Sequence, residues 1–190
     1  MSKEFLELGH TCCCCWRCSS NGAVNCRAMG LSRWYKSWRH GHGFGVHSPF
    51  AYRMVREVLR PPHGYAFYAE KGIMHPELRL IYRILVDRRP STVMIAAGSQ
   101  KGLLSKLVET ALPSVTLIDG GTPDMLIVHG MADVSPEAVN AAVIYLNDSG
   151  HPLLAKASAS LVRGHIYRNP IRAIIIRDDR LPAQIFEIKF

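Results

Sequence analysis

The sequence lacks long apolar runs, and this excludes several classes of protein. No stretch approaches the ~20 consecutive apolar residues that a membrane-spanning helix needs. The first residues include Glu4 and Glu7, and no apolar core of a secretory signal follows them. Apolar residues make up 48% of the 190-residue chain and charged residues 20%, which is the usual balance of a globular protein. We therefore predict a cytoplasmic protein without a membrane segment.

Cysteine is missing from everything after Cys26, and a disulfide framework would spread cysteines through the fold. Cys12, Cys15, Cys18 and Cys26 could supply four zinc ligands, but the second CxxC pair typical of such sites is absent. We predict that residues 1–28 form a disordered, cysteine-rich leader without a metal site. The alternative is zinc binding by these cysteines.

The domain predicted to follow covers residues 29–190. Acidic side chains are scarce at its start, because lysine and arginine far outnumber the single acid between residues 27 and 60. The whole chain has a net charge of +8, and such a balance favours polyanionic partners. Nucleic-acid binding by this basic segment is one hypothesis, and a solvated helix face is the other. The basic side chains concerned are Arg33, Lys36, Arg39, Arg53 and Arg56.

Hydrophobic periodicity and turn residues predict an α/β fold. The predicted helices cover residues 31–39, 49–60, 76–88, 103–112 and 135–146. The predicted strands cover residues 91–97, 114–119, 124–129, 173–177 and 184–190. Strands alternating with helices indicate a mostly parallel sheet with helices on both faces. The last two strands, joined by a turn, predict an antiparallel pair that closes the sheet.

One strand–turn–helix segment resembles a known cofactor-binding motif. Residues 93–104 read VMIAAGSQKGLL. They are similar to the first motif of class I S-adenosylmethionine-dependent methyltransferases, in which a glycine-rich turn lets the cofactor approach the backbone. The resemblance implies that Gly98, Ser99 and Gly102 contact S-adenosylmethionine.

A second resemblance concerns Asp119, at the end of the next predicted strand. In the same family an acid at this point binds the ribose hydroxyls, so the resemblance implies a cofactor contact for Asp119. The alternative is that Asp119 only begins the turn that continues with Gly120 and Gly121, where Asp is common.

The two ends of the predicted domain are similar to a small methyltransferase-like group from Bacteroidetes-type bacteria. Residues 43–52 read GFGVHSPFAY and resemble its GvHSPFvY segment, and residues 181–190 resemble its closing strand. The resemblance implies a Rossmann-like fold. His47, in the glycine-rich loop of this segment, is a candidate catalytic base, and the alternative is a structural hydrogen bond within the loop.

The sequence also departs from the family pattern. Ala96 stands where the first strand usually carries an acid, and His129 stands where the fourth strand often ends in one. Only four residues separate Asp119 from Asp124, so the third strand and its helix are missing. Since parallel crossovers usually take a dozen residues, we predict altered strand pairing there. The alternatives to an S-adenosylmethionine-dependent enzyme are an inactive, degenerate relative that serves as a structural or interaction module, and a basic nucleic-acid-binding module.

Overall fold

A computed structural model of the chain describes residues 48–62 and 64–190. The predicted leader, the predicted helix over residues 31–39, and His47 lie outside this part of the chain. The six cysteines and most of the predicted basic segment also lie outside it. None of the helices within the described ranges is long and apolar enough to cross a membrane.

The described chain begins with a layer of helices. Ser48 caps the first of them, since its Oγ accepts a hydrogen bond from the backbone N–H of Ala51 at 3.3 Å, as the Ser-Pro signal predicts. The prediction of a helix over residues 76–88 is confirmed. The helices of this layer are α1 (Pro49–Arg53), which continues into a π-helical turn (Met54–Leu59), α2 (Phe67–Glu70) and α3 (Pro76–Arg88).

A seven-stranded sheet follows, in the order β2-β1-β3-β4-β6-β5-β7. Every neighbouring pair is parallel except the two that involve β6, which is antiparallel to β4 and to β5. The predicted α/β fold with a mostly parallel sheet is therefore confirmed. In chain order the elements are β1 (Thr92–Ala97), α4 (Lys101–Ala111), β2 (Thr116–Ile118), β3 (Met125–His129), a 3₁₀ turn (Ala138–Asn140), β4 (Val143–Leu146), α5 (Pro152–Ala159), β5 (His165–Arg168), β6 (Ala173–Ile176) and β7 (Gln184–Glu187).

Both faces of the sheet are covered. Alternate residues of a strand point to opposite faces, so Val93 packs into one core and its neighbour Met94 into the other. The first core contains side chains of α1, α3 and α4, including Leu104. The second contains the 3₁₀ turn and α5, including Leu153. Continuous burial along β3 and β4 follows from this double coverage.

The predicted antiparallel pairing of the last two strands is wrong. β6 and β7 both pair with β5, which the sequence analysis did not predict, and β7 runs parallel to β5. The antiparallel strand therefore lies inside the sheet, between β4 and β5, rather than at its edge. Two short apolar strands in succession do not reveal which neighbour each one pairs with, because a third strand can separate them.

The helix predicted over residues 135–146 is also wrong. A single 3₁₀ turn follows Ser135, and residues 143–146 form the buried strand β4 between β3 and β6. Serine followed by proline, as at Ser135 and Pro136, is typical of a helix start, and the apolar stretch after them favours its continuation as a helix. Pairing with β3 overrides it, because the valine, isoleucine and tyrosine of the stretch are favourable in a buried strand.

The short link between β2 and β3 keeps a parallel arrangement, contrary to the altered pairing expected from its length. Neither a helix nor a strand occurs in residues 119–124, yet β2 and β3 lie on either side of β1 and parallel to it. β2 ends opposite Met94, and β3 begins opposite Val93. The chain therefore crosses two strand spacings, about 10 Å, with little displacement along the strand direction. Six residues can span up to about 20 Å, so the link is long enough.

Candidate functional site

The strand order reverses at β1, and this locates the candidate site. After β1 the chain adds β2 on one side and then returns to add β3 on the other. In open α/β sheets a crevice forms outside the carboxyl ends of the strands at such a point, and ligands bind there. The turn after β1 and the end of β3 lie at this edge, whereas β2 ends opposite Met94, three residues before the end of β1. These segments carry four predicted site residues, Gly98, Ser99, Gly102 and Asp119.

The turn after β1 leaves open space around its glycines. A Cβ atom added at Gly98 or at Gly102 would meet no other atom within 4 Å, and neither residue has a positive φ. Gly98 and Ser99 are exposed, and Gly102 lies in the first turn of α4. Since glycine in a helix costs about 0.5–1 kcal/mol relative to alanine, the fold gains nothing from Gly102. The described residues therefore give no structural reason for glycine at either position.

Asp119 bridges the end of β2 and the start of α4. Its Oδ1 accepts a hydrogen bond of 2.6 Å from Nζ of Lys101, and its side chain is 86% exposed. An exposed pair of this kind contributes about 0–1 kcal/mol and is easily exchanged for another partner. Asp119 is thus connected through the Lys101 side chain to the beginning of α4, directly after the glycine turn. Its carboxylate remains exposed to solvent.

A polar cluster that the sequence analysis did not predict lies at the same edge. We call it the edge cluster; it consists of Glu77, His129 and Tyr145. His129 ends β3 opposite Ala97, and its Nε2 is 3.8 Å from Oε1 of Glu77 in the first turn of α3. The same Oε1 accepts a hydrogen bond of 2.9 Å from the hydroxyl of Tyr145 on β4. The cluster thus joins three separate elements beside the glycine turn.

The innermost member of the edge cluster is Tyr145, which is fully buried. Burial raises the pKa of Tyr145 well above its ordinary value, the neighbouring Glu77 carboxylate raises it further, and the positive charge of Arg172 opposes the shift. Tyr145 therefore remains a neutral hydrogen-bond donor to Glu77 at physiological pH. A buried hydroxyl without a partner would cost free energy, and Glu77 supplies that partner.

The sequence analysis singled out His129 at the end of the predicted strand over residues 124–129 but missed the other two members of the edge cluster. Glu77 was only an acid in a predicted helix, and Tyr145 was assigned to a helix instead of β4. The single available signal was an acid directly after Pro76, at the beginning of a helix with an apolar stripe. Such acids are common, since they interact favourably with the helix dipole, so the signal does not identify a site.

The basic residues within the described ranges are partly engaged. Nη1 of Arg53 donates to Oδ1 of Asp87 at 2.7 Å and also lies 3.6 Å from Glu57. The hydrogen bond to Asp87 raises the pKa of Arg53. Arg53 therefore serves first to hold α1 against α3. Arg56 is the other described member of the predicted nucleic-acid surface, and its side chain is partly buried.

A groove also lies in the helical layer, among the π-helical turn, α2 and the second half of α3. Two of its charged residues have structural partners. Arg83 donates to the carbonyl oxygens of Val58 and Leu59, which end the π-helical turn, and Asp87 accepts a hydrogen bond from Arg53. Its lining residues are Glu57, Val58, Tyr65, Phe67, Tyr68, Tyr82, Arg83, Val86, Asp87 and Arg89.

Comparisons of this chain with protein-family models, with curated proteins and with solved structures found no match.

Proposed function

We propose that the protein is an S-adenosylmethionine-binding, methyltransferase-like protein with a Rossmann-like fold. The observation that carries the proposal is the pair Gly98 and Gly102, which lie where the strand order reverses and where the fold itself does not need glycine. A ligand that must approach the backbone closely explains both residues. The first-motif resemblance of residues 93–104 supplies the identity of that ligand.

The residues at this edge match the family pattern in part, and Ala96 and His129 both depart from it. Gly98, Ser99 and Gly102 would hold its methionine part and ribose, and Asp119 would exchange Lys101 for the ribose hydroxyls. Ala96 offers no carboxylate at the end of β1. When bound, the cofactor supplies an activated methyl group on sulfur. The protein's task is then to align an acceptor with that group, for which reacting atoms ~3–3.5 Å apart are needed.

The test is titration calorimetry of S-adenosylmethionine and S-adenosylhomocysteine into the full chain. We expect measurable heat with both, and we expect Gly102→Ala to weaken binding about tenfold or more, equivalent to about 1.4 kcal/mol. Gly64→Ala is the matched control, because a Cβ there also enters open space and Gly64 belongs to none of the segments that carry the predicted cofactor residues. No heat from a folded protein, or equal loss in both variants, would refute the proposal.

A second candidate function is an inactive relative of the same fold that acts as an interaction module. The Lys101–Asp119 ion pair favours it, because both charges already have a partner at the edge where the cofactor would bind. This alternative predicts no heat with either ligand. It also predicts that Asp119→Ala changes the free energy of unfolding by less than about 0.5 kcal/mol.

A nucleic-acid-binding module is supported less. It would require basic side chains free to contact phosphates, and Arg53 is held by Asp87. Binding of this kind weakens steeply as salt rises. Titrating duplex DNA into the full chain at two salt concentrations would separate it from the first two candidates.

A further inference from the structure

We propose that His129 is the base that takes a proton from the methyl acceptor, and that Glu77 and Tyr145 position it. The inference rests on the proposed function for its place in the reaction, but the three side chains stand together without it. They face the same side of the sheet at its carboxyl edge, and their interactions join β3, α3 and β4.

The exposure of the edge cluster increases from its inner end to its outer end. Tyr145 is inaccessible to solvent, the Glu77 side chain is 12% exposed, and the His129 side chain is 30% exposed. Only the outermost member therefore offers substantial surface to a ligand. This order is typical of a catalytic base, here His129, that is oriented by a carboxylate, here Glu77. The carboxylate is in turn held by the hydrogen bond from Tyr145.

The two ring nitrogens of His129 have different surroundings. Nε2 faces Glu77, whereas Nδ1 has no hydrogen-bond partner among the residues that the structure describes. A proton on Nε2 would be stabilised by the carboxylate, and this leaves the Nδ1 lone pair to accept a proton from a ligand. Glu77 would then stabilise the resulting imidazolium through its negative charge.

A purely structural role explains less of the edge cluster. The Tyr145 hydroxyl is already satisfied by Glu77, so the hydrogen bonding of the core does not require His129. Arg172 also acts on this cluster, and its positive charge lowers the pKa of Tyr145 against the effect of burial. No hydrogen bond to His129 is needed to keep a described buried group paired.

The partly exposed His129 imidazole, with the Glu77 carboxylate beside it, favours a methyl acceptor with an aromatic hydroxyl group. A phenol is acidic enough for an imidazole to take its proton, with a pKa of about 10 in tyrosine, whereas an aliphatic alcohol is far weaker. Met74 and Met131, close in sequence to Glu77 and His129, expose 64% and 69% of their surface. Thioether side chains make favourable contacts with aromatic rings.

The proposed step is balanced in atoms and electrons. The phenol O–H bond breaks, and its proton moves to Nδ1 of His129. The oxygen uses an electron pair to form a bond to the methyl carbon as the carbon–sulfur bond breaks. That bonding pair stays on sulfur, which changes from a cationic sulfonium to a neutral thioether. The imidazolium then releases this proton to water.

The experiment uses para-nitrophenol as a chromogenic probe, because its phenolate has its own absorption band. The probe is titrated at one fixed pH into the full chain, with and without S-adenosylhomocysteine. We expect the wild-type protein to raise the phenolate fraction. We expect His129→Asn to abolish the rise, and Glu77→Gln to lower the proton-transfer equilibrium constant about tenfold, since it removes the charge behind the imidazole.

His75→Asn is the matched control, because His75 is an exposed histidine at the start of α3 and its side chain makes no capping hydrogen bond. It should retain the full phenolate signal. Should Glu77→Gln fail to fold, Tyr145→Phe takes its place, and we expect it to reduce the signal while leaving probe binding intact. A rise that persists in His129→Asn, or no rise in a folded wild-type protein, overturns the proposal.

Calorimetry on the same samples separates this inference from the proposed function. Heat with S-adenosylhomocysteine and no phenolate signal would leave cofactor binding standing and remove His129 as the base. A His129-dependent phenolate signal without cofactor heat would do the opposite. It would retain the edge cluster as a phenol-binding site and remove the methyltransferase-like function.

Discussion

At the scale of single residues, Gly164 is the clearest case of a side chain that the fold excludes. It precedes β5 with φ of +123°, and a Cβ atom there would lie 2.0 Å from the carbonyl oxygen of Ile176. Its backbone position is also held by a hydrogen bond, because its carbonyl oxygen accepts from the N–H of Gln184 at 3.0 Å. The clash is with backbone, so rotation of a side chain cannot relieve it.

We therefore expect Gly164→Ala to lower the free energy of unfolding by about 2 kcal/mol or more, through backbone strain and displacement of β6. Urea denaturation followed by circular dichroism measures this. Gly102→Ala is the control, and without ligand it should be neutral or stabilising by up to about 1 kcal/mol, since it lies in a helix with open space around it. Equal effects in the two variants would show that the contact at Gly164 is not as described.

His165 makes stability depend on pH. It is fully buried, and its Nδ1 is 3.0 Å from the hydroxyl of Tyr167. Burial lowers the pKa of His165, Arg88 lowers it further, and Asp178 partly opposes the shift. Its pKa is therefore lower in the folded than in the unfolded protein, so the unfolded chain binds the extra proton first as the pH falls.

The contribution of His165 to stability is complete above its unfolded pKa of about 6.5 and is lost as the pH falls below that value. His165→Asn keeps a polar atom near Tyr167 but cannot become charged. We expect the difference in unfolding free energy between wild type and variant to shrink between about pH 7 and pH 5. Chemical denaturation at several pH values measures the difference, and a flat or rising difference would contradict the assignment.

At the scale of elements, Asp124 holds the short link between β2 and β3 to the start of β1. Its Oδ2 accepts hydrogen bonds from the backbone N–H groups of Ser91 at 2.8 Å and Thr92 at 3.0 Å. Its own N–H donates to Oγ1 of Thr92 at 2.9 Å. These three hydrogen bonds, which we call the Asp124 clamp, hold the end of the link beside the start of β1. β3 can therefore begin opposite Val93 although the crossover contains no helix.

We expect Asp124→Ala to destabilise the protein by about 1–3 kcal/mol, because it leaves two backbone donors without their charged acceptor. Asp133→Ala is the matched control, because Asp133 is exposed and makes no hydrogen bond or ion pair with another described residue. It should change stability by less than about 0.5 kcal/mol. Thermal unfolding of the three proteins gives the comparison. An Asp124 effect no larger than that of Asp133 would mean that the clamp does not hold the link.

The elements also show where sequence reasoning succeeds and where it fails. Helix α3 and strand β1 were predicted nearly to the residue, because the apolar stripe of one and the apolar run of the other are bounded by prolines and turn residues. Strand β4 was mistaken for helix, and β5 was missed. Both are four residues long and lie beside β6, so pairing rather than local sequence determines them.

At the scale of the whole molecule, two hydrophobic cores lie on opposite faces of one sheet. Residues of β1 alternate between the core under α3 and α4 and the core under α5, so the two cores share every central strand. Leu104 is 1% exposed in the first core, and Leu153 is 5% exposed in the second. Since neither core can be lost without disrupting the sheet, the described domain should unfold as one unit.

We expect Leu104→Ala and Leu153→Ala each to lower the free energy of unfolding by about 2–5 kcal/mol while a single transition remains. Urea denaturation followed by far-ultraviolet circular dichroism and by tyrosine fluorescence tests this, because the two signals should coincide. Two separate transitions, each sensitive to only one of the substitutions, would show that the cores are independent.

The sequence by itself determined the α/β class, the helix α3, the glycine turn after β1 and the absence of a strand–helix unit between Asp119 and Asp124. These features depend on local periodicity, turn chemistry and chain length, and each of these can be seen within a single segment of the sequence. The prediction that Gly98, Ser99, Gly102 and Asp119 bind a cofactor stays a prediction.

Only the tertiary structure decided which strands are neighbours and which side chains meet at the carboxyl edge. Glu77, His129 and Tyr145 are far apart in the chain and come together because of strand register and the position of α3 on the sheet. The place of β7 beside β5 has the same origin. Register and pairing depend on contacts between distant segments, and no local pattern records them.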